Sequence, residues 1–229
     1  MRIGPCVFDQ DDDNTHGDWA VTGRVTGTPL VHDDGDKLMH LGIAASYRGS
    51  GDDDRMTRYR TRPEIRSVDR FVNTGWLPQS GSTGMVGFEA AKKWGPASIQ
   101  GEYIMARPKL AGQSNPSFDG YYISGSYILT GESRGYSSGR FSGVTPRRNA
   151  FEEGGAGAWE IAARYSNIYL NSREVRGGEL NNISVGVNWY LNPSSRMMVN
   201  YVNTIVRRDD IDASSARADA VTMRFQVSF

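Results

Sequence analysis

Long apolar runs are missing from this chain. None of its 229 residues belongs to a stretch near the roughly 18–20 consecutive apolar positions that a transmembrane helix needs, and the mean hydropathy is −0.52. A helical membrane protein is excluded. A membrane is not, because a β-barrel wall alternates apolar and polar residues and averages like a soluble protein. Cysteine is reduced to Cys6, which forbids an intramolecular disulfide and says nothing about compartment. The three histidines, His16, His32 and His40, share no metal-ligand spacing. The acidic runs Asp9–Asp13 and Asp52–Asp54 lack the ordered glycine and terminal glutamate of a calcium loop, so no metal is expected. Lysine is scarce too: Lys37, Lys92, Lys93 and Lys109 leave arginine to supply most of the 26 basic side chains. A formal net charge of +0 removes any bulk case for nucleic acid. No nucleotide-binding glycine pattern and no convincing catalytic triad occur, so neither enzyme chemistry nor a cofactor is expected. Met1 to Gln10 hold no apolar core or cleavage site of an export signal.

What the chain does have is 27 glycines, 11 tyrosines and 5 tryptophans, and a recurring two-residue period. Met39, Leu41, Ile43, Ala45 and Tyr47 alternate with His40, Ser46 and Arg48. Val86, Phe88 and Ala90 stand against Glu89 and Lys93, and only Gly95-Pro96 separates them from Ile99, Tyr103 and Met105, the spacing of a tight hairpin. The same grammar runs through Tyr121–Leu129, Trp159–Tyr165, Ile183–Trp189, Met197–Ile205 and Val221–Phe229. Such a period predicts an all-β, antiparallel fold. A soluble β-sandwich also alternates. Two details favour a transmembrane barrel: Trp19, Tyr47, Trp94, Trp159, Trp189 and Phe229 fall near strand ends, where barrels carry aromatic girdles, and short turns at 95–96 and 192–195 alternate with longer loops at 49–82, 108–117, 171–179 and 207–218. The stretch 131–156 is long yet falls on the short side, and the sequence offers no account of it.

About eight or nine strands are countable, the ninth in Met1–Phe8, and a loop as long as 49–82 needs room. A wide barrel with that loop folded into its lumen is therefore expected, with this chain as an incomplete C-terminal part that would not fold stably alone. The chain ends on Phe229 after Val227, Phe225 and Met223, a pattern similar to the terminal signature of bacterial outer-membrane proteins.

The candidate chemistry lies in residues 55–70. Arg58, Arg60 and Arg62 are spaced by two, with Arg66 and Arg70 at steps of four. In an extended backbone these point one way at intervals of about 6.5–7 Å. One reading is a solvated charge run, or arginines paired with Asp52, Asp53, Asp54 and Glu64. The other is an anion path along which each guanidinium fork hands on its ligand.

The ladder followed by Asp69-Arg70-Phe71-Val72-Asn73-Thr74-Gly75, the segment Tyr127-Ile128-Leu129-Thr130-Gly131-Glu132-Ser133-Arg134, and Gly186-Val187-Asn188-Trp189-Tyr190-Leu191-Asn192-Pro193 together resemble the phosphate-selective porin O and P family. The resemblance implies 16 strands, a homotrimer in a Gram-negative outer membrane, and passive passage of phosphate or related small anions, with Arg58, Arg60, Arg62 and Arg66 as the anion path. It also implies constriction lysines in the part not covered here. Glu132 has no nucleophile or histidine at a useful spacing and reads as a turn or inter-strand contact. The competing functions are a structural or adhesive outer-membrane barrel and a soluble β-sandwich binding module.

Overall fold

A computed structural model describes residues 9–12 (backbone pairing only), 19–32, 35–49, 55–65, 67–137, 139–208 and 215–228. Nine long strands carry the architecture: β2 (Trp19–His32), β3 (Lys37–Gly49), β6 (Leu77–Trp94), β7 (Ala97–Leu110), β8 (Phe118–Ile128), β11 (Ala158–Ser172), β12 (Val175–Asn192), β13 (Ser195–Arg207) and β14 (Ala216–Val227). Short pieces accompany them: β1 (Asp9–Asp12) before the first, and β4 (Arg55–Thr61), β5 (Val72–Asn73), β9 (Tyr136–Ser137) and β10 (Arg140–Phe141) between later ones. Every long strand pairs antiparallel with its neighbour in the order β2-β3-β6-β7-β8-β11-β12-β13-β14. Among the described residues β2 and β14 do not pair with each other, so the sheet is open.

The polarity of this sheet is inverted relative to a soluble sandwich. On one face the large apolar side chains are exposed: Val21, Ile43, Phe88, Ile123, Ile183 and Val185 among them, with Val221 73% and Met223 71% accessible. On the other face the buried residues are polar, including His40, Lys93, Ser124, Glu160, Arg164, Asn182, Ser184 and Asn188. Burying unpaired polar groups in an apolar core is costly. Here they bond to one another, as where Asn188 and Tyr190 both donate to Glu160 at 2.7 and 2.8 Å. Among the described residues no second large sheet covers the apolar face. That is the arrangement of a barrel wall with lipid outside, and it removes the sandwich reading.

The outward face is graded. Trp94, Tyr127, Trp159 and Trp189 lie towards the end with short turns, where Trp159 and Trp189 stack at 5.1 Å and both indole N–H groups donate to the Ala156 carbonyl. Tyr47, Tyr103, Tyr121, Tyr165 and Tyr201 lie towards the other end. Amphipathic rings favour the two edges of an apolar band.

One connection differs from expectation. The expected loop 171–179 is a tight hairpin: β11 runs to Ser172, β12 starts at Val175, and Arg173 takes φ 56° in the turn. The strands simply continue past the apolar band, so the outward face turns polar there (Asn181, Glu179) while the ladder goes on. The Gly95-Pro96 turn is as expected, with Gly95 at φ 56°. The expected ninth strand in Met1–Phe8 lies outside the described residues.

Candidate functional site

Residues 55–76 leave the wall and fold against its inner face. β4 pairs with β6 (Arg55 opposite Gln79), then the chain reverses and β5 returns beside it, with Arg60 opposite Asn73 and Thr61 opposite Val72. The reversal begins at Pro63, whose carbonyl accepts the Ile65 N–H at 2.6 Å. One face of this hairpin is apolar and fully buried. Tyr59 and Val72, both 0% accessible, enter a cluster with Leu110, Phe118, Leu170, Leu180 and Val206 from the wall. The Tyr59 ring lies 5.1 Å from Phe118. The inner face is thus polar along most of its height and apolar at the long-loop end, where it grips the hairpin.

Alternation then fixes the arginines. Thr57 and Tyr59 are buried, so Arg58 and Arg60, both half-buried, share the opposite face of β4. The Arg58 guanidinium sits over the Trp76 ring, 4.3 Å from its centroid. Arg62 follows just past the strand end and is exposed. Arg66 lies outside the described residues. Arg70 is half-buried on the returning limb, because the reversal at Pro63 stops the line at this point instead of carrying it on to residue 70.

The loop's acid goes elsewhere. Glu64 Oε1 accepts from Arg164 Nε at 2.5 Å and Ser166 Oγ at 2.8 Å, and its Oε2 accepts from Ser184 Oγ at 2.7 Å. Arg164 in turn stacks over Tyr122, 3.7 Å from the ring centroid, and the Tyr122 hydroxyl donates to Glu102 at 2.6 Å. The hairpin tip is therefore tied to two strands of the wall, β11 and β12. Asp52–Asp54 lie outside the described residues. The backbone register of β1 sets Asp9 opposite Arg60 and Asp11 opposite Arg58, a cross-strand placement of opposite charge.

The second inward segment is the one the sequence left unexplained. Residues 131–144 fold over the inner face near the short turns and enclose a cavity of about 860 Å³ against the wall. Arg24, Arg134, Arg140 and Arg196 line it, with His40, Glu89 and Glu102. Arg134 forms a buried ion pair with Glu160, and Lys93 Nζ donates to the Arg134 carbonyl at 2.8 Å. His40 contacts the Tyr136 hydroxyl at 2.6 Å through Nδ1 and Glu89 at 3.1 Å through Nε2. Arg24 bridges Glu89 and the Gly139 carbonyl. Glu132 fastens the root of the segment, accepting from the Thr130 hydroxyl and from Arg147 N–H at 3.2 Å. Burial acts to raise its pKa, but those hydrogen bonds and the Arg147 charge outweigh it and hold the carboxyl below the usual range. No group of three or more potential metal ligands occurs among the described residues.

A wall polar inside and apolar outside, crossed by two charged segments, is the geometry of a porin. The family model for phosphate-selective porin O and P matches residues 6–229. The chain belongs to that family. Porin O of Pseudomonas aeruginosa is 28% identical over 254 aligned residues, covering 97% of this chain and 56% of that protein. An uncharacterised protein of Caulobacter vibrioides is 32% identical over 193 residues, covering 83% of this chain and 38% of its own length. The chain thus spans roughly half or less of the curated relatives it matches.

Proposed function

We propose that this chain forms part of an outer-membrane porin of a Gram-negative bacterium, passing small anions, phosphate first among them, by passive diffusion. The arginines of the β4 hairpin, Arg58, Arg60, Arg62 and Arg66, supply the path, and the complete protein works as a homotrimer. One observation carries the reading: the hairpin commits its apolar face and its glutamate to the wall, and so turns its arginine face away from both. Guanidinium forks at two-residue intervals, about 6.5–7 Å, give an anion a series of similar sites, each weak enough to release it to the next. The second charged segment, 131–144, adds the exposed Arg140 at the far end of the same inner face, where Arg134 is already paired with Glu160.

The test is the reversal potential of the full-length protein in planar bilayers under a salt gradient. Wild type is expected to favour anions, and Arg58→Ala, Arg60→Ala and Arg62→Ala together to abolish most of that preference. Anion preference surviving the triple replacement overturns the assignment of the path.

A further inference from the structure

The outward face carries a dent that the porin reading does not use. Two cross-strand rows run over β2, β3, β6 and β7. One is Val21–Tyr47–Gly84–Arg107 and the next, one step towards the short turns, is Gly23–Ala45–Val86–Met105. Gly84 in the first row and Gly23 with Ala45 in the second leave a gap between larger neighbours. The result is a mostly apolar groove of about 510 Å³, within the ~300–1,000 Å³ usual for small-ligand pockets. Neither glycine needs to be one for backbone reasons. A Cβ built on Gly23 or Gly84 meets nothing within 4 Å, and neither has a positive φ. Among the described residues nothing fills the space.

The groove has polarity. Its upper end, towards the long loops, is closed by Arg107, which is exposed, and Lys109 follows two residues on along the same strand face, also exposed. Neither makes a hydrogen bond or ion pair with a carboxylate among the described residues. Trp19, 51% accessible, packs against Tyr47 at 5.6 Å beside the same end. The lower end opens directly onto the exposed apolar side chains Ile43 and Phe88. Two cations above, aromatic rings at their level, and an apolar channel running down into the lipid-facing band form the outline of one lipid molecule. Long loops mark the outer side of such barrels, and the outer leaflet there is built of phosphorylated, multiply acylated glycolipid.

We infer that this groove binds that glycolipid, with an acyl chain over Gly23, Ala45 and Gly84 and a phosphate on Arg107 and Lys109. The inference rests on the barrel reading above. Arginine forks suit phosphate oxygens, and aromatic rings beside them suit sugar faces at the membrane edge.

The test uses full-length protein in mild detergent, titrated with purified rough-type lipopolysaccharide and read as a mass adduct by native mass spectrometry, with phosphatidylglycerol in parallel. Heat-modifiable gel migration of each sample reports folding of the barrel independently. Wild type is expected to carry one lipopolysaccharide in preference to phosphatidylglycerol. Gly84→Leu and Gly23→Leu, which grow into the groove from positions where a Cβ meets nothing within 4 Å, and Arg107→Gln with Lys109→Gln, which remove its charge, should each weaken the adduct about tenfold while heat modifiability stays. Equal retention by all variants, or equal binding of phosphatidylglycerol by wild type, overturns the site and leaves the porin reading standing. Loss of heat modifiability in wild type itself would instead overturn the barrel reading and this site with it.

Discussion

Replacing Glu64 by glutamine isolates what holds the arginine hairpin in place. Glu64 accepts three hydrogen bonds from the wall, one of them from Arg164, whose side chain is only 6% accessible. Glutamine keeps the shape and one acceptor oxygen but removes the charge. A hydrogen bond to a charged group contributes about 1.5–3 kcal/mol, and a buried cation left without its anion costs more. Two features of the site temper that cost: Arg164 keeps its stacking on Tyr122 at 3.7 Å, and Glu64 retains 23% side-chain accessibility. A net loss of about 2–3 kcal/mol is expected, which multiplies the population with the hairpin tip released roughly 30- to 150-fold. The Tyr59–Val72 cluster still tethers the segment, so the hairpin loosens at its tip rather than leaving. In single-channel recordings of the full-length protein, Glu64→Gln should raise open-state current noise and blur anion selectivity, with heat-modifiable migration unchanged. Noise and selectivity indistinguishable from wild type would refute the tie.

Two further outcomes follow from the same geometry. Glu132 has a folded pKa below its unfolded value, so the stability it contributes is present above the unfolded pKa and is lost as pH falls through the folded one. The 131–147 segment should therefore become more accessible to protease at acid pH, and Glu132→Gln should leave it equally accessible at neutral and acid pH. Asp9 and Asp11 stand opposite Arg60 and Arg58 in the β1–β4 register. Converting both to asparagine should shift the reversal potential further towards anions, and a shift towards cations would show that these acids do not offset the ladder.

The alternation of Val86, Phe88, Ile183 and Val185 with polar partners was enough to read the wall and its two faces from sequence. Polarity of neighbours at a two-residue period is a local property, and lipid on one side leaves it intact. The hairpin's inward course was legible only as a loop too long to stay outside. Its actual grip comes from Phe118, Leu170, Leu180 and Val206, which sit at inward positions yet are apolar. That break in the polar parity is a signal the sequence carried. The folding of 131–144 was not legible. Its anchors, Lys93 to the Arg134 carbonyl and His40 to Tyr136, join residues 41 and 96 positions apart, with no local pattern to announce them. Nor did the arginine line extend to Arg70, because a two-residue spacing holds along a single strand and says nothing of a reversal between Arg62 and Arg70.

Everything proposed for the pore depends on even and odd residues of one strand meeting different solvents. Spin labels placed singly at 221, 222, 223 and 224 of β14, in a Cys6→Ser background of the full-length protein in bilayers, measure this most directly, because Thr222 is half-buried and Arg224 exposed on the inward face while Val221 and Met223 are exposed on the outward one. High oxygen accessibility at 221 and 223 and high accessibility to a water-soluble nickel chelate at 222 and 224 are expected. Positions 221 and 223 shielded from both reagents would mean that protein, not lipid, covers the apolar face, and the pore would be contradicted.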